Sequence, residues 1–310
     1  MYKLRVGTRG SKLALWQAQY VAEKLNEAIP ELKVEVKVIS TKGDKILDVA
    51  LSKIGDKGLF TKEIENELLN NEIDIAVHSM KDLPTTLSPG LCIGAVLERE
   101  KPNDVLISHK GYTFKELPLN AILGTSSLRR IAQIKAKRPD VICREIRGNV
   151  DTRIRKMKEQ NLDGIVLAYA GVKRLGLEDI ISDFLAEDII MPAVGQGAVA
   201  IEIRENDEAT KNVIECISDT KTVVETQAER ALLKELEGGC QIPIAAYAKV
   251  INEKLILRGK VLSLDGEHFF DKEINGNIEN SEEIGRTLAQ KLVNDGADKI
   301  LTEIKKQLGD

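Results

Sequence analysis

At 310 residues the chain is too long for one small core, and two or three domains are expected. Its composition is that of a globular protein, 43% hydrophobic and 30% charged. A net charge of -4 excludes bulk affinity for nucleic acid or an anionic membrane surface, so any anion site has to be local. In chain order, "YKLRVGT" predicts a strand. "KLALWQAQYVAEKLNEA" then predicts an amphipathic helix, with apolar residues at three- and four-residue spacing. "LKVEVKVIST" predicts a strand, "GLFTKEIENELLNNE" contains a helix, and "IDIAVHSM" is a strand again. The rhythm repeats through "LNAILGTS", "SLRRIAQIKAKR", "VICREIRG", "NVDTRIRKMKEQ" and "DGIVLAYA", read as strand, helix, strand, helix and strand. Such alternation implies open α/β sheets.

Near residue 195 the pattern changes. "AVAIEIR" predicts a strand that returns to one of the earlier sheets, and "GQGAVA" is a weak dinucleotide-loop match because no helix follows it. "TVVETQAERALLKELEGG" predicts a helix ending on Gly238 and Gly239 as a left-handed cap. "KLILRGKVLSLDGEHFFDKEI" predicts a hairpin with Asp265 and Gly266 at its turn, and the closing amphipathic stretch is interrupted at Gly296. The expected architecture is two doubly wound α/β domains followed by a small C-terminal α+β domain.

Chemistry gathers at strand-to-helix junctions. Arg9 and Ser11 stand at the first; Thr125, Ser126, Ser127, Arg129 and Arg130 at another; Arg147 and Arg153 around a third; Lys173 and Arg174 near a fourth. Helix N-termini offer free N–H groups and arginine offers paired donors, so four such junctions point to a polyanion site at the strands' carboxyl ends. Taken singly, each junction is equally well explained by helix capping and surface ion pairs. "DIAVHSMKDLPTT" ends a buried strand on Ser79, Lys81 and Asp82, with a salt bridge to Lys81 as the plain alternative role for Asp82 and a structural role expected for His78. "SKIGDKGLF", with Lys53 and Phe60, is either a lid or a solvated loop.

The four cysteines show no CxxC spacing and the three histidines are scattered, which leaves no signal for a disulfide framework or a metal centre. Nor does any segment approach the roughly 20 apolar residues of a membrane span or the shape of a secretion signal, so a cytoplasmic protein is expected. Cys92, Cys143 and Cys216 sit in apolar runs and read as small buried hydrophobes. Cys240, between a glycine pair and Gln-Ile-Pro, does not fit that account.

Taken together, "GTRGSKLALWQ", "KGLFTKEIE", "VHSMKDLPT", "GTSSLRR", "RGNVDTR", "LAYAGVKRLG", "PAVGQGA" and "LEGGCQIPIA" resemble the hydroxymethylbilane synthase family, also called porphobilinogen deaminase, over almost the whole chain. The resemblance implies a cytoplasmic, monomeric transferase of tetrapyrrole and heme biosynthesis. Such an enzyme joins four porphobilinogen molecules head to tail with loss of ammonia, then frees the linear product by hydrolysis. It implies one dipyrromethane cofactor held as a thioether on Cys240, with Asp82 as the catalytic carboxylate facing the pyrrole nitrogens. Ser79, Lys81, Asp82, Thr125, Ser127, Arg129, Arg130, Arg147 and Arg153 would bind that cofactor. Arg9, Ser11, Lys53, Arg174 and Gln196 would bind substrate, with Arg99 and Phe60 as weaker assignments and no metal. The implied fold is two periplasmic-binding-protein-like domains, residues 1–99 with 196–217 and residues 100–195, and an α+β domain, 218–310, carrying the cysteine.

Two rivals share part of this pattern. A solute-binding protein for a small polyanion explains the α/β halves and the arginines but not Cys240 or Asp82. A pyridoxal-phosphate or nucleotide enzyme using Lys53 or Lys81 lacks a phosphate loop.

Overall fold

The architecture comes from a computed structural model, which describes residues 3–45, 58–236 and 242–308. Lys53, most of the 52–60 loop, the glycine pair 238–239 and Cys240 lie outside the described residues.

The chain opens with β1 (Lys3–Thr8), α1 (Lys12–Ala28), β2 (Lys33–Val38), the single turn α2 (Lys42–Lys45), α3 (Lys62–Leu69), β3 (Ile75–Ser79) and β4 (Leu91–Val96). It continues through β5 (Asp104–Ile107), β6 (Ile122–Gly124), α4 (Leu128–Lys137), β7 (Ile142–Arg144), α5 (Val150–Glu159), β8 (Gly164–Ala168), α6 (Tyr169–Arg174) and β9 (Asp183–Leu185). It closes with β10 (Val199–Arg204), α7 (Glu208–Ile214), α8 (Thr220–Glu235), β11 (Ile244–Ile251), β12 (Lys254–Leu262), β13 (Phe269–Asn277), α9 (Ser281–Asp295) and α10 (Ala297–Leu308). None of the described helices is long and apolar enough to cross a membrane.

These elements form three sheets, as the strand–helix alternation predicts. The first runs β2-β1-β3-β10-β4, the second β7-β6-β8-β5-β9, and the third is the antiparallel β11-β12-β13. In the first, β1 pairs in parallel with β2 and β3, while β10 lies antiparallel to both β3 and β4. The second repeats this plan, with β5 as its one reversed strand. The contacts divide the chain into two compact units. One comprises residues 1–50, 54–100 and 198–223; the other comprises 51–53, 101–197 and 224–310. In each five-stranded sheet the reversed strand is the first strand after the chain passes from one unit to the other.

Helices cover both faces of each α/β sheet, which makes them doubly wound. In the first, Leu4 and Val6 pack with Ala18, Val21 and Leu25 of α1, while Ile64 and Leu68 of α3 pack with Ile73 and Ala76. Helix α1 has the bounds its apolar spacing predicts. Ala14, Gln17, Ala18, Val21 and Leu25 are its buried stripe, and Ser11 closes its start. In the second sheet, Leu123 and Val166 pack with Ile134 of α4, and Ile165 and Leu167 pack with Met157 of α5.

The third core joins Ala228 and Leu232 of α8, Leu257 of β12 and Leu288 and Leu292 of α9. Gly296 adopts φ +114°, which a left-handed cap requires, and it separates α9 from α10 as its position in the sequence predicts. Gly285 of α9 sits against α8 so closely that a Cβ would stand 2.4 Å from Ala228 O and 2.6 Å from Ala231 Cβ. Gly285→Ala should therefore lower unfolding stability by about 1–3 kcal/mol through overpacking, despite the roughly 1 kcal/mol that alanine gains over glycine in helix propensity. Urea unfolding measures this, and a stabilised variant would mean the two helices part without cost.

One expectation fails. Cys216 is exposed rather than buried, because "NVIECIS" runs off the end of α7 into a 3-10 turn, Glu215–Ile217, where the thiol only donates to Val213 O at 3.2 Å. Cys92 and Cys143 do pack against apolar cores, and burial pushes both thiols up.

Candidate active site

In the first unit the predicted residues lie at the carboxyl ends of two neighbouring parallel strands. β1 ends on Thr8, whose buried hydroxyl donates to Ala14 O at 3.1 Å. Ser11 then caps α1, its Oγ accepting from Ala14 N at 3.2 Å. The Arg9 guanidinium lies over the Phe60 ring, 4.2 Å from its centroid, a cation–π contact that orients the charge without neutralising it.

Beside this loop β3 ends on Ser79, whose Oγ accepts from Gln17 Nε2 at 2.9 Å. Gln17 is a buried polar residue of α1, so the amide ties the two junctions together. Sequence reasoning missed it, although its place on the buried stripe of α1 is visible in the spacing. Met80–Asp82 then makes one 3-10 turn, pinned where Met80 N donates to Ala198 O at 3.0 Å.

That turn leaves Asp82 exposed, and among the described residues its carboxylate makes no hydrogen bond and no ion pair. The salt bridge to Lys81, its plain structural role, does not form. An anionic group held on a short rigid turn with no partner is a poor stability device and a candidate for chemistry. His78, one residue before Ser79, has the structural place expected of it. Its Nε2 lies 3.0 Å from Glu202 Oε2 of β10, with both side chains buried.

The second unit gathers the other loops, again at the ends of parallel strands β6, β7 and β8. After β6, Thr125 is buried with its Oγ1 accepting from Ser127 N at 3.2 Å, and Ser126 Oγ donates to Ile146 O at 2.8 Å. Ser127 occupies the N-cap of α4 without a side-chain cap bond, so the turn is closed by Thr125 and Ser126 instead. After β7, Arg153 Nε donates to Gly148 O at 2.8 Å. Arg147 has a buried Nη1 with no hydrogen-bond partner among the described residues, an orphan donor of the kind that costs stability unless an acceptor is supplied. After β8, Arg174 Nη2 donates to Gly197 O at 2.7 Å, while Lys173 Nζ stands 5.9 Å from the Tyr169 ring centroid.

Arg129, Arg130 and Gln196 share one partner within the protein. All three are buried. Arg129 Nη1 and Arg130 Nη2 meet the two oxygens of Asp104 at 2.8 and 2.7 Å. Gln196 Nε2 donates to Asp104 Oδ1 at 2.9 Å. Burial would raise the Asp104 carboxyl, but the two guanidiniums outweigh it and hold the group well below the usual carboxylate range. Asp104 was not singled out in the sequence, because nothing local to "KPNDVLIS" signals a partner 26 residues away. "GQGAVA" is followed by β10, so it has no dinucleotide-loop context.

Two family models match the chain. One, described as porphobilinogen deaminase, dipyromethane cofactor binding domain, covers residues 4–212; the other, porphobilinogen deaminase, C-terminal domain, covers residues 223–294. The chain is 58% identical over 306 residues to the porphobilinogen deaminase of Syntrophomonas wolfei, covering 99% of this chain and 100% of that one. It is 56% identical to that of Carboxydothermus hydrogenoformans, covering 97% of each, and 51% identical to that of Desulfitobacterium hafniense, covering 99% of each. Among solved structures it is similar to the substrate binding protein of an amino acid ABC transporter, at 14% identity and a TM-score of 0.36, over 69% of this chain and 91% of that one.

Proposed function

The chain belongs to the porphobilinogen deaminase family of transferases, and we propose that it condenses four porphobilinogen molecules head to tail and releases the linear tetrapyrrole hydroxymethylbilane by hydrolysis. In each condensation the aminomethyl C–N bond breaks and ammonia leaves. The methylene carbon then bonds to a free pyrrole α-carbon, which gives up its proton. The observation that carries this reading is Asp82, an exposed, unpartnered carboxylate fixed at the end of β3 beside the Arg9–Ser11 loop.

Loss of ammonia leaves a methylene carbon whose positive charge spreads onto the pyrrole nitrogen. Asp82 beside that N–H stabilises the cation more than the neutral ground state, which lowers the barrier. The same carboxylate stabilises the protonated ring formed by carbon–carbon bonding, until the α-proton leaves.

The donors of each unit suit the carboxylates of a dipyrromethane, whose two rings carry four. Arg147 has a buried donor without a described acceptor, Ser79, Lys81, Thr125 and Ser127 stand at or just after the carboxyl ends of β3 and β6, and Arg153 is in the first turn of α5. We assign these residues, with Asp82, Arg129 and Arg130, to the cofactor, and Cys240 to its thioether. Bound there, the dipyrromethane supplies the free pyrrole α-position that the first substrate unit joins. Arg9, Ser11, Arg174, Lys53 and Gln196 are assigned to substrate. The domain division of the family resemblance, a cytoplasmic location and a monomeric state belong to the same proposal.

Incubation with porphobilinogen should release four ammonia molecules per linear tetrapyrrole. Arg147→Leu should keep the melting temperature, since the native guanidinium has no described hydrogen-bond partner to lose. It should nevertheless cost on the order of 2–5 kcal/mol in cofactor assembly or chain growth, by leaving a carboxylate unpaired. Wild-type turnover in this variant would remove Arg147 from the site.

A further inference from the structure

Three of the residues expected to touch ligand share a partner that no sequence signal picks out. Asp104 opens β5, the reversed strand of the second sheet, and pairs with Ala168 at the end of β8. Reversal matters here. It brings the first residue of β5 to the edge where its antiparallel neighbour β8 ends, so a carboxylate arrives among the loops that follow the parallel strands.

Asp104 is fully buried, with Arg129 on one oxygen and Arg130 and Gln196 on the other. Each guanidinium has a second anchor. Arg129 Nη1 donates to Met191 O at 2.6 Å, and Arg130 Nη1 donates to Val166 O at 2.9 Å. Gln133 of α4 adds to this, accepting from Met191 N at 2.8 Å and donating back to Met191 O at 3.1 Å. The network therefore ties the start of α4, the end of β8 and the 191–196 segment to one carboxylate. Arg130 Nε remains buried with no described acceptor.

The charges set what this network can do. Two guanidiniums against one carboxylate leave a single net positive charge, not the two that "SLRRIAQ" suggests. A buried ion pair stripped of one partner is strongly destabilised, because the surviving charge is neither solvated nor compensated.

We propose that Asp104 is a positioning residue for the reaction. It fixes Arg129, Arg130 and Gln196 in one network of net charge +1, which serves a single carboxylate of cofactor or substrate. This rests on the assignment of Arg129 and Arg130 to the cofactor. Asp104 touches neither reactant and acts through the arginines. Its carboxyl, held low by both guanidiniums, stays ionised through the neutral and mildly acidic range.

A charge-balance cycle tests the proposal. Wild type, Asp104→Asn, Arg130→Met and the double variant are produced as full chains in one host. For each, intact mass gives the fraction carrying two extra pyrrole units, and circular dichroism with melting gives the folded fraction. The networks then carry net charges of +1, +2, 0 and +1 in that order.

Asp104→Asn and Arg130→Met should each reduce loading per folded molecule, on the order of tenfold or more. The double variant should load better than Arg130→Met, because its one remaining guanidinium is no longer neutralised by Asp104. Wild-type loading in Asp104→Asn overturns the proposal, as does loading that falls only with the folded fraction. If Asp104→Asn does not fold, the comparison of the double variant with Arg130→Met decides, and equal loading between those two overturns it. A wild-type chain at its bare sequence mass instead refutes the assignment of cofactor and function on which the proposal stands.

Discussion

Asp82→Asn is expected to lower kcat roughly 10²-fold or more, about 3 kcal/mol of transition-state stabilisation, with the melting temperature unchanged. The substitution keeps the size and shape of the side chain and removes only its charge. No described hydrogen bond or ion pair is lost, since Asp82 makes none. Solvent screens an exposed carboxylate, but a pyrrole ring lying over it displaces that water just where positive charge develops. Substrate should still bind, because its acetate and propionate are assigned to other residues, and KM should move much less than kcat. Retained kcat would make Asp82 a bystander. A lower melting temperature with normal turnover per folded molecule would make it structural.

The second large effect concerns Cys240. Protein isolated from cells should be heavier than its sequence by two pyrrole units, with the extra mass on the peptide containing Cys240. Cys240→Ser should fold but carry no thioether-linked group and have no turnover. Folding is expected to survive because the described residues on either side of Cys240 are anchored independently of the thiol. Leu236 before it and Ile244 after it are buried in the same core, and Ile242 packs against that core. Full activity at the bare sequence mass would rule out the tether. So would extra mass located on the exposed Cys216 instead.

Where the sequence was legible, a local pattern coincided with a buried face. Helix α1 has its predicted ends because Ser11 caps it and its apolar stripe repeats through the whole helix. β10 returns to the first sheet as "AVAIEIR" suggested, and Gly296 breaks the last helical stretch. β4, β5 and β9 escaped notice because none is followed by the helical spacing that marked the short β6 and β7 as strands. The same limit applied to the site. Junction chemistry picked out Ser11, Thr125 and Arg147, and the end of a buried strand picked out Asp82; all four follow strand ends in the structure. It could not separate an arginine whose side chain has no described partner from one already on a buried carboxylate. Arg147 and Arg130 look alike in sequence, and only the arrival of Asp104 on a distant strand distinguishes them.

The position of β10 also sets the order in which the nascent chain can fold. β10 lies between β3 and β4 and hydrogen-bonds to both, so those strands have no shared partner until Arg204 has been made. The second five-stranded sheet needs only the unbroken run from Asp104 to Leu185. At about 5–20 residues per second of translation, the N-terminal sheet has to wait seconds in two halves. During that time β3 and β4 expose unpaired edges, and Val77, Ala95 and Leu97, later buried, lie open. Of the two five-stranded sheets, the one begun first is therefore the one a ribosome-bound chaperone would be called on to shield.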